Sequence, residues 1–484
     1  RTPDGRRRAA PPPHPARCAC ARRSAKRHRV PDLIVHPAER PLIGSVPVPA
    51  DKSIAHRALL LAGLATGQSR VRCGALGGDV RSTVDALRAL GVRVEEPSPG
   101  DLVVHGAGLS GLRAPDGPID CGNSGTTMRL LAGILVAQRF AARLVGDASL
   151  SRRPMERVAK PLRLRGGRIE GQLDPRTIGE ITAPLDVGPL PEPHVLSSIE
   201  YDLPVPCDQV KSALLFSGLF ADGPTFVREP IVSRDHTERM LTALGVPVDS
   251  VGAMVCLDAA RFSGNLPAFD VDVPGDLSAA AFLLAAAELV PGSRVTARRV
   301  GLNPTRTGLL EVLRDMDSSV AVEIKGEALG EPTGDLHIAS GAGLRGGRAG
   351  GELAARALDE LPILLGLAAR ARGVTEVFDA RELRVQETDR IAAMASVLGA
   401  FGLRCEERTD GLLVEGRPDR PLEAADVDSR GDHRIAMTAA VLGLAARGPT
   451  RVRDAGCIAT SFPLFVGTLR ALGARIEVEG ARGS

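Results

Sequence analysis

A chain of 484 residues, 44% apolar and 25% charged, is long enough for more than one packed core, and 61 basic against 58 acidic residues leave a formal charge of only +3. That balance excludes a general polyanion binder, and one Tyr, no Trp and 11 Phe exclude a stacking platform for single-stranded nucleic acid. No apolar run reaches the roughly 18 residues of a membrane helix, and the eight cysteines show neither C-x-x-C pairs nor a dense disulfide pattern, so a reduced, cytoplasmic setting without bound metal is expected.

Residues 1–30 are rich in Arg, Pro and Ala with a single acidic residue, a composition that packs no core and predicts a disordered basic extension. The first predicted helix follows in "VPADKSIAHRALLLAGL" (48–64), where Lys52, Ser53, His56 and Arg57 crowd the start of an apolar run. Cations at a helix N-terminus oppose the backbone dipole, and the arrangement makes sense where an anion is bound. A solvated first turn ahead of a core helix explains this stretch alone equally well. "CGNSGTTMRLLAGIL" (121–135) places Gly125 and small hydroxyl residues before a second helix, as an N-cap or as bare backbone for a ligand. "SLSRRPMERV" (149–158), "LRVQETDRIAAM" (383–394) and "RGDHRIAMTAA" (430–440) bring Arg153, Glu387, Arg390 and Arg434 to further predicted helix starts. Recurring in one chain, such starts predict a shared anionic pocket.

A repeat links these pieces. "LRALGVRVE" at Leu87 returns as "LRLRGGRIE" at Leu162, "LTALGVPVD" at Leu241, "LRDMDSSVA" at Leu313, "LGAFGLRCE" at Leu398 and "LRALGARIE" at Leu469, spaced 71 to 85 residues apart. Each copy reads as the last helical turn, a left-handed C′ residue and an alternating strand. Only the fourth lacks Gly, with Asp317 in its place. The coarse reading is α/β, six βαβαββ units grouped as two domains of three with a cleft between them. Its apolar helices, such as 279–289 and 361–371, need cover on every side.

The motifs "DKSIAHRALLLAGL", "GNSGTTMRLL", "GDASLSRRPM", "QVKSALL", "SRDHTERML", "NPTRTG", "DELPILL", "QETDR", "GDHRIAM" and "IATSFP", in this order over about 38–480, resemble the 5-enolpyruvylshikimate-3-phosphate synthase family in its bacterial class II form. The resemblance implies a two-domain inside-out α/β barrel. Domain I would join 31–49 to 275–484, domain II would hold 50–274, and Lys52 would lie just past the crossing into the cleft. It implies transfer of the enolpyruvyl group of phosphoenolpyruvate to the 5-hydroxyl of shikimate 3-phosphate, with phosphate released, by a monomer without cofactor or metal, and competition by glyphosate.

By matching motif positions, Lys52, Gly125, Arg153, Gln209, Arg390 and Arg434 would hold phosphoenolpyruvate. Ser53, Arg57, Gln209, Ser233, Asp359 and Gln386 would hold shikimate 3-phosphate. Asp359 would serve as base and Glu387 as proton donor, with Lys52 assisting. Alternatives are a relative of altered activity that binds another phosphorylated ligand, and UDP-N-acetylglucosamine enolpyruvyl transferase, which Ser53 disfavours. Four departures from the family pattern stand out: Ala50 for a Gly, Gln386 for a Lys, Cys207-Asp208 for two small residues, and Asp317 for the helix-ending Gly. They predict strain at Ala50, one cation fewer beside the acceptor, and a carboxylate near the acceptor's phosphate.

Overall fold

The computed structural model describes residues 31–341 and 343–480; the expectation for 1–30 lies outside them. Strands and helices alternate into six four-stranded sheets, all with one pattern among the described residues. In the first, Asp270–Asp272 runs parallel to Thr66–Arg72, which pairs antiparallel with Asp101–Ala107 and that in turn with Arg93–Ser98. The other five likewise have one parallel outer pair and two antiparallel pairs.

The helices fill the spaces these sheets leave. Leu277–Leu289 is buried at every position except Glu288, so an all-round apolar helix finds cover on all sides. Buried apolar side chains form two separate clusters. One is built from Ile54 to Val273, the other from Leu33, Val35 and Leu42 together with Leu277 to Ile476. Three sheets belong to each span.

The six C′ positions are all left-handed: Gly91, Gly166, Gly245, Asp317, Gly402 and Gly473 have φ of 83°, 99°, 80°, 64°, 82° and 115°. Asp317 therefore adopts the conformation of the glycine it replaces, and its carboxylate accepts from Arg345 Nη2 at 2.8 Å. The strain expected at Ala50 is absent, since Ala50 does not have positive φ and instead forms an antiparallel bridge with Gly275. The chain passes between the clusters twice, side by side, with Asp51 N–H donating to Pro274 O (2.7 Å) and Asp276 N–H to Pro49 O (2.8 Å). Among the described residues no helix is long and apolar enough to cross a membrane.

Candidate active site

Helix Lys52–Leu64 is capped by Asp51, whose carboxylate accepts from Ile54 N–H at 3.0 Å. The other oxygen of Asp51 receives Arg306 Nη1 at 3.2 Å, and Arg306 also reaches Asp276 and Glu360. Lys52 leaves this anchored start toward Asp79, with Nζ 2.9 Å from Oδ2. Burial works to discharge the ammonium, but Asp79 and Glu387 hold its pKa above the ordinary value. Arg57, expected to hold shikimate 3-phosphate, is engaged by groups of the protein in this structure. It is wholly buried and satisfied within the protein, by Thr237 Oγ1 (2.7 Å), Ser212 Oγ (2.8 Å), Ser53 O (2.9 Å) and Asp208 Oδ2 (2.9 Å).

Asp359 lies at the centre of the cations. Arg434 Nη2 stands 3.3 Å from its Oδ2 and Arg390 Nη1 3.5 Å from its Oδ1, and Arg234 pairs with the same carboxylate. Burial favours the neutral acid, yet Arg434, Arg234 and Arg390 together hold Asp359 well below the usual carboxylate range. Both flanking arginines are fixed from behind. Arg390 donates to Asp432 (2.9 Å) and Glu387 (2.5 Å), while Asp432 caps the helix His433–Gly443 by accepting from Arg434 N–H at 2.8 Å. At Glu387 desolvation likewise favours the neutral acid, yet Arg390, His433, Arg153 and Lys52 pull it down. Lys52, Glu387 and Asp359 are thus gathered in one field of charge, and both carboxylates are ionised in it.

The third wall is the turn before helix Gly125–Leu135. Ser124 caps it by accepting from Thr127 N–H at 3.1 Å, which leaves the backbone around Gly125 toward Arg129 and Arg153. Gln209 bridges this wall: its Oε1 accepts from Arg129 Nη1 at 2.6 Å and its Nε2 donates to Thr126 Oγ1 at 2.9 Å. Arg153 Nη2 donates to Asn123 Oδ1 at 2.6 Å. Ser233 is turned to Glu229, its hydroxyl donating at 2.5 Å and its N–H at 3.1 Å, and Glu229 is neutralised by the buried Lys211 at 2.7 Å. Gln386 lies half-buried just before Glu387.

Sequence reasoning named most of these residues but missed Arg129 and Arg234. Arg234 follows Ser233 directly, and Arg129 lies in the same helix as Gly125, so in each case a neighbouring residue carried the reading.

Comparison with known proteins gives one answer. The sequence profile of the EPSP synthase (3-phosphoshikimate 1-carboxyvinyltransferase) family matches residues 37–469. A 3-phosphoshikimate 1-carboxyvinyltransferase from Acidithiobacillus ferrooxidans is 47% identical over 448 residues, covering 93% of this chain and 99% of the relative. One from Halorhodospira halophila is 48% identical over 440 residues, covering 91% and 96%. The solved structure of EPSP synthase from Acinetobacter baumannii superposes with a TM-score of 0.82 at 40% identity, over 93% of this chain and all of the other. With its profile, its relatives and its architecture in agreement, the chain belongs to the EPSP synthase family.

Proposed function

We propose that the protein transfers the enolpyruvyl group of phosphoenolpyruvate to the 5-hydroxyl of shikimate 3-phosphate and releases phosphate, the shikimate-pathway reaction of its family. The observation that carries this reading is Asp359 ringed by Arg234, Arg390 and Arg434, with Lys52 and Glu387 in the same field. Two substrates that each bear a carboxylate and a phosphate need such a concentration of fixed cations. Lys52, Arg153, Arg390 and Arg434 hold phosphoenolpyruvate against the backbone at Gly125 and against Gln209. Ser53, Arg57, Gln209, Ser233 and Gln386 hold shikimate 3-phosphate, with Asp359 toward its 5-hydroxyl.

In the addition step the hydroxyl oxygen bonds to C2 of phosphoenolpyruvate, its proton passes to Asp359, and the methylene carbon takes a proton from Glu387. Elimination reverses the proton transfer at that carbon and expels phosphate. Glu387 has no proton to give in the present field. Anionic substrate groups placed against Arg390, Arg153 and Lys52 weaken the field that keeps it ionised, so proton uptake accompanies binding.

The architecture we assign to this chemistry is a two-domain inside-out α/β barrel of six βαβαββ units, 31–49 with 275–484 as domain I and 50–274 as domain II. The two apolar clusters and the paired crossings at Ala50 and Gly275 support that division. Closure of the two halves would exclude water from the cleft.

Phosphate release by the full chain with both substrates, and with each alone, tests the function. Saturable release that requires both is expected. Well-folded protein that releases none would overturn it.

A further inference from the structure

This inference rests on the proposed reading of the cleft and concerns a residue for which that reading has no task. Asp208 is the first residue of helix Asp208–Gly218 and follows Cys207. Its Oδ2 lies 2.9 Å from Arg57 Nη2, and the two side chains differ sharply in exposure: 0% for the arginine, 18% for the carboxylate. The remaining contacts of Arg57 go to two hydroxyls and a carbonyl, none of them an anion. On its other flank the charge of Asp208 acts on Arg234, which pairs across the cleft with Asp359.

The anion paired with Arg57 is therefore a carboxylate of the protein itself, and it is the more exposed member of the pair. We propose that Asp208 is a specificity-determining residue, an internal anion that occupies Arg57 and weakens binding of the acidic acceptor substrate while leaving the phosphoenolpyruvate end untouched. A carboxylate tethered to the same fold competes at high effective concentration with one that arrives from solution. If the incoming anion settles beside Asp208 instead of displacing it, the two like charges repel. Both routes lower affinity for shikimate 3-phosphate. None of the cations of the other end pairs with Asp208: Lys52 pairs with Asp79, Arg153 donates to Asn123, Arg390 is held by Asp432 and Arg434 by Asp359, so the effect reaches them only indirectly.

The test compares the full chain with Asp208→Ser and Asp208→Asn, the second nearly isosteric so that the helix start and the packing around Arg57 are kept. Binding of shikimate 3-phosphate is measured by calorimetry, and the KM for phosphoenolpyruvate by phosphate release. Affinity for shikimate 3-phosphate should rise at least about tenfold in both variants, with the KM for phosphoenolpyruvate within about twofold of the native value. Unchanged or weaker binding in a variant that melts like the native chain overturns the inference and leaves the function standing. A parallel change in both substrates also overturns it, because the effect would then not be local to Arg57. If the native chain and both variants bind no shikimate 3-phosphate and release no phosphate, the function falls and takes the inference with it.

Discussion

Asp359 has three guanidiniums within ion-pair range, and a base held so firmly ionised draws its usefulness from position more than from basicity. Asp359→Asn keeps the shape and loses the proton acceptor, so kcat should fall about a thousandfold, while calorimetry still detects shikimate 3-phosphate. A matching loss of binding would mean the residue only holds the arginines apart. Gly125 has its own arithmetic. A Cβ there would lie 3.1 Å from Arg129 Nη1 and 3.3 Å from Arg153 Nη1, tight contacts with the ends of two flexible side chains. Gly125→Ala should raise the KM for phosphoenolpyruvate a few-fold and weaken inhibition by glyphosate by more than that. Equal or opposite shifts in an inhibition series would count against the placement. The identities of these residues were legible in the sequence because each sits in a dense motif. Their partners were not: Asp208 reaches Arg57 across 151 positions, and Arg234 reaches Asp359 across 125.

Helix starts are the elements that bring charge to the cleft, and they set its response to acid. His56 lies in the first turns of helix Lys52–Leu64, and His433 opens helix His433–Gly443. Burial, with help from neighbouring cations, lowers His56 to about 3 and His433 to about 4, from an ordinary value of 6.5. From about pH 6.5 down to those values the unfolded chain binds a proton at each site that the folded chain refuses. Stability therefore falls on acidification through this window, by up to about 1.4 kcal/mol per pH unit for each histidine. Urea titrations at pH 7, 6 and 5 should show the slope, and His56→Asn should remove about half of it; an unchanged slope would mean that His56 accepts a proton in the fold. At this scale the sequence was most informative. The six left-handed C′ positions were visible as a recurring Gly because chain reversal after a helix demands positive φ. Asp317 shows that the backbone requirement outlasts the residue that usually meets it. The strain expected at Ala50 failed for the reverse reason, since motif likeness implied a left-handed turn where the backbone forms a bridge.

Across the whole molecule the two apolar clusters are joined by a few polar links. His236 and Glu331 pair at 2.8 Å with side chains 1% and 0% exposed, and Asn303 ties the same glutamate (2.9 Å) to Asp235 (2.6 Å). Nearer solvent, Arg157 meets Glu382 at 2.8 Å. Glu331→Ala strands buried partners on both sides of the joint and should cost about 3 kcal/mol. Calorimetry should show a lower melting temperature and a transition broadened toward two steps, while Arg157→Ala should change little. A sharp, unshifted melt for Glu331→Ala would mean that the clusters cohere without the joint. The sequence disclosed that there were six similar pieces. It did not disclose this joint, because Glu331 lies in no recognisable motif, and Asn303, though it opens the motif NPTRTG, acquires its role only from what faces it.

The pairing of early strands with late ones also dictates the order in which the fold can be completed. Among the described residues, strand Asp32–Val35 finds its neighbours only in Thr450–Arg453 and Ile476–Glu479, and Ile43–Pro47 waits for Arg294–Gly301. The span from Ile54 to Val273 has all three of its sheets within itself. During synthesis the inner half can therefore finish while the outer half is still two unpaired strands awaiting later segments. Strand Asp32–Val35 is translated before either of its partners and is among the last to be locked in place, and a truncated transcript that stops short of Ile476 would leave one finished half beside a sheet with an open edge, a template for association with other nascent copies.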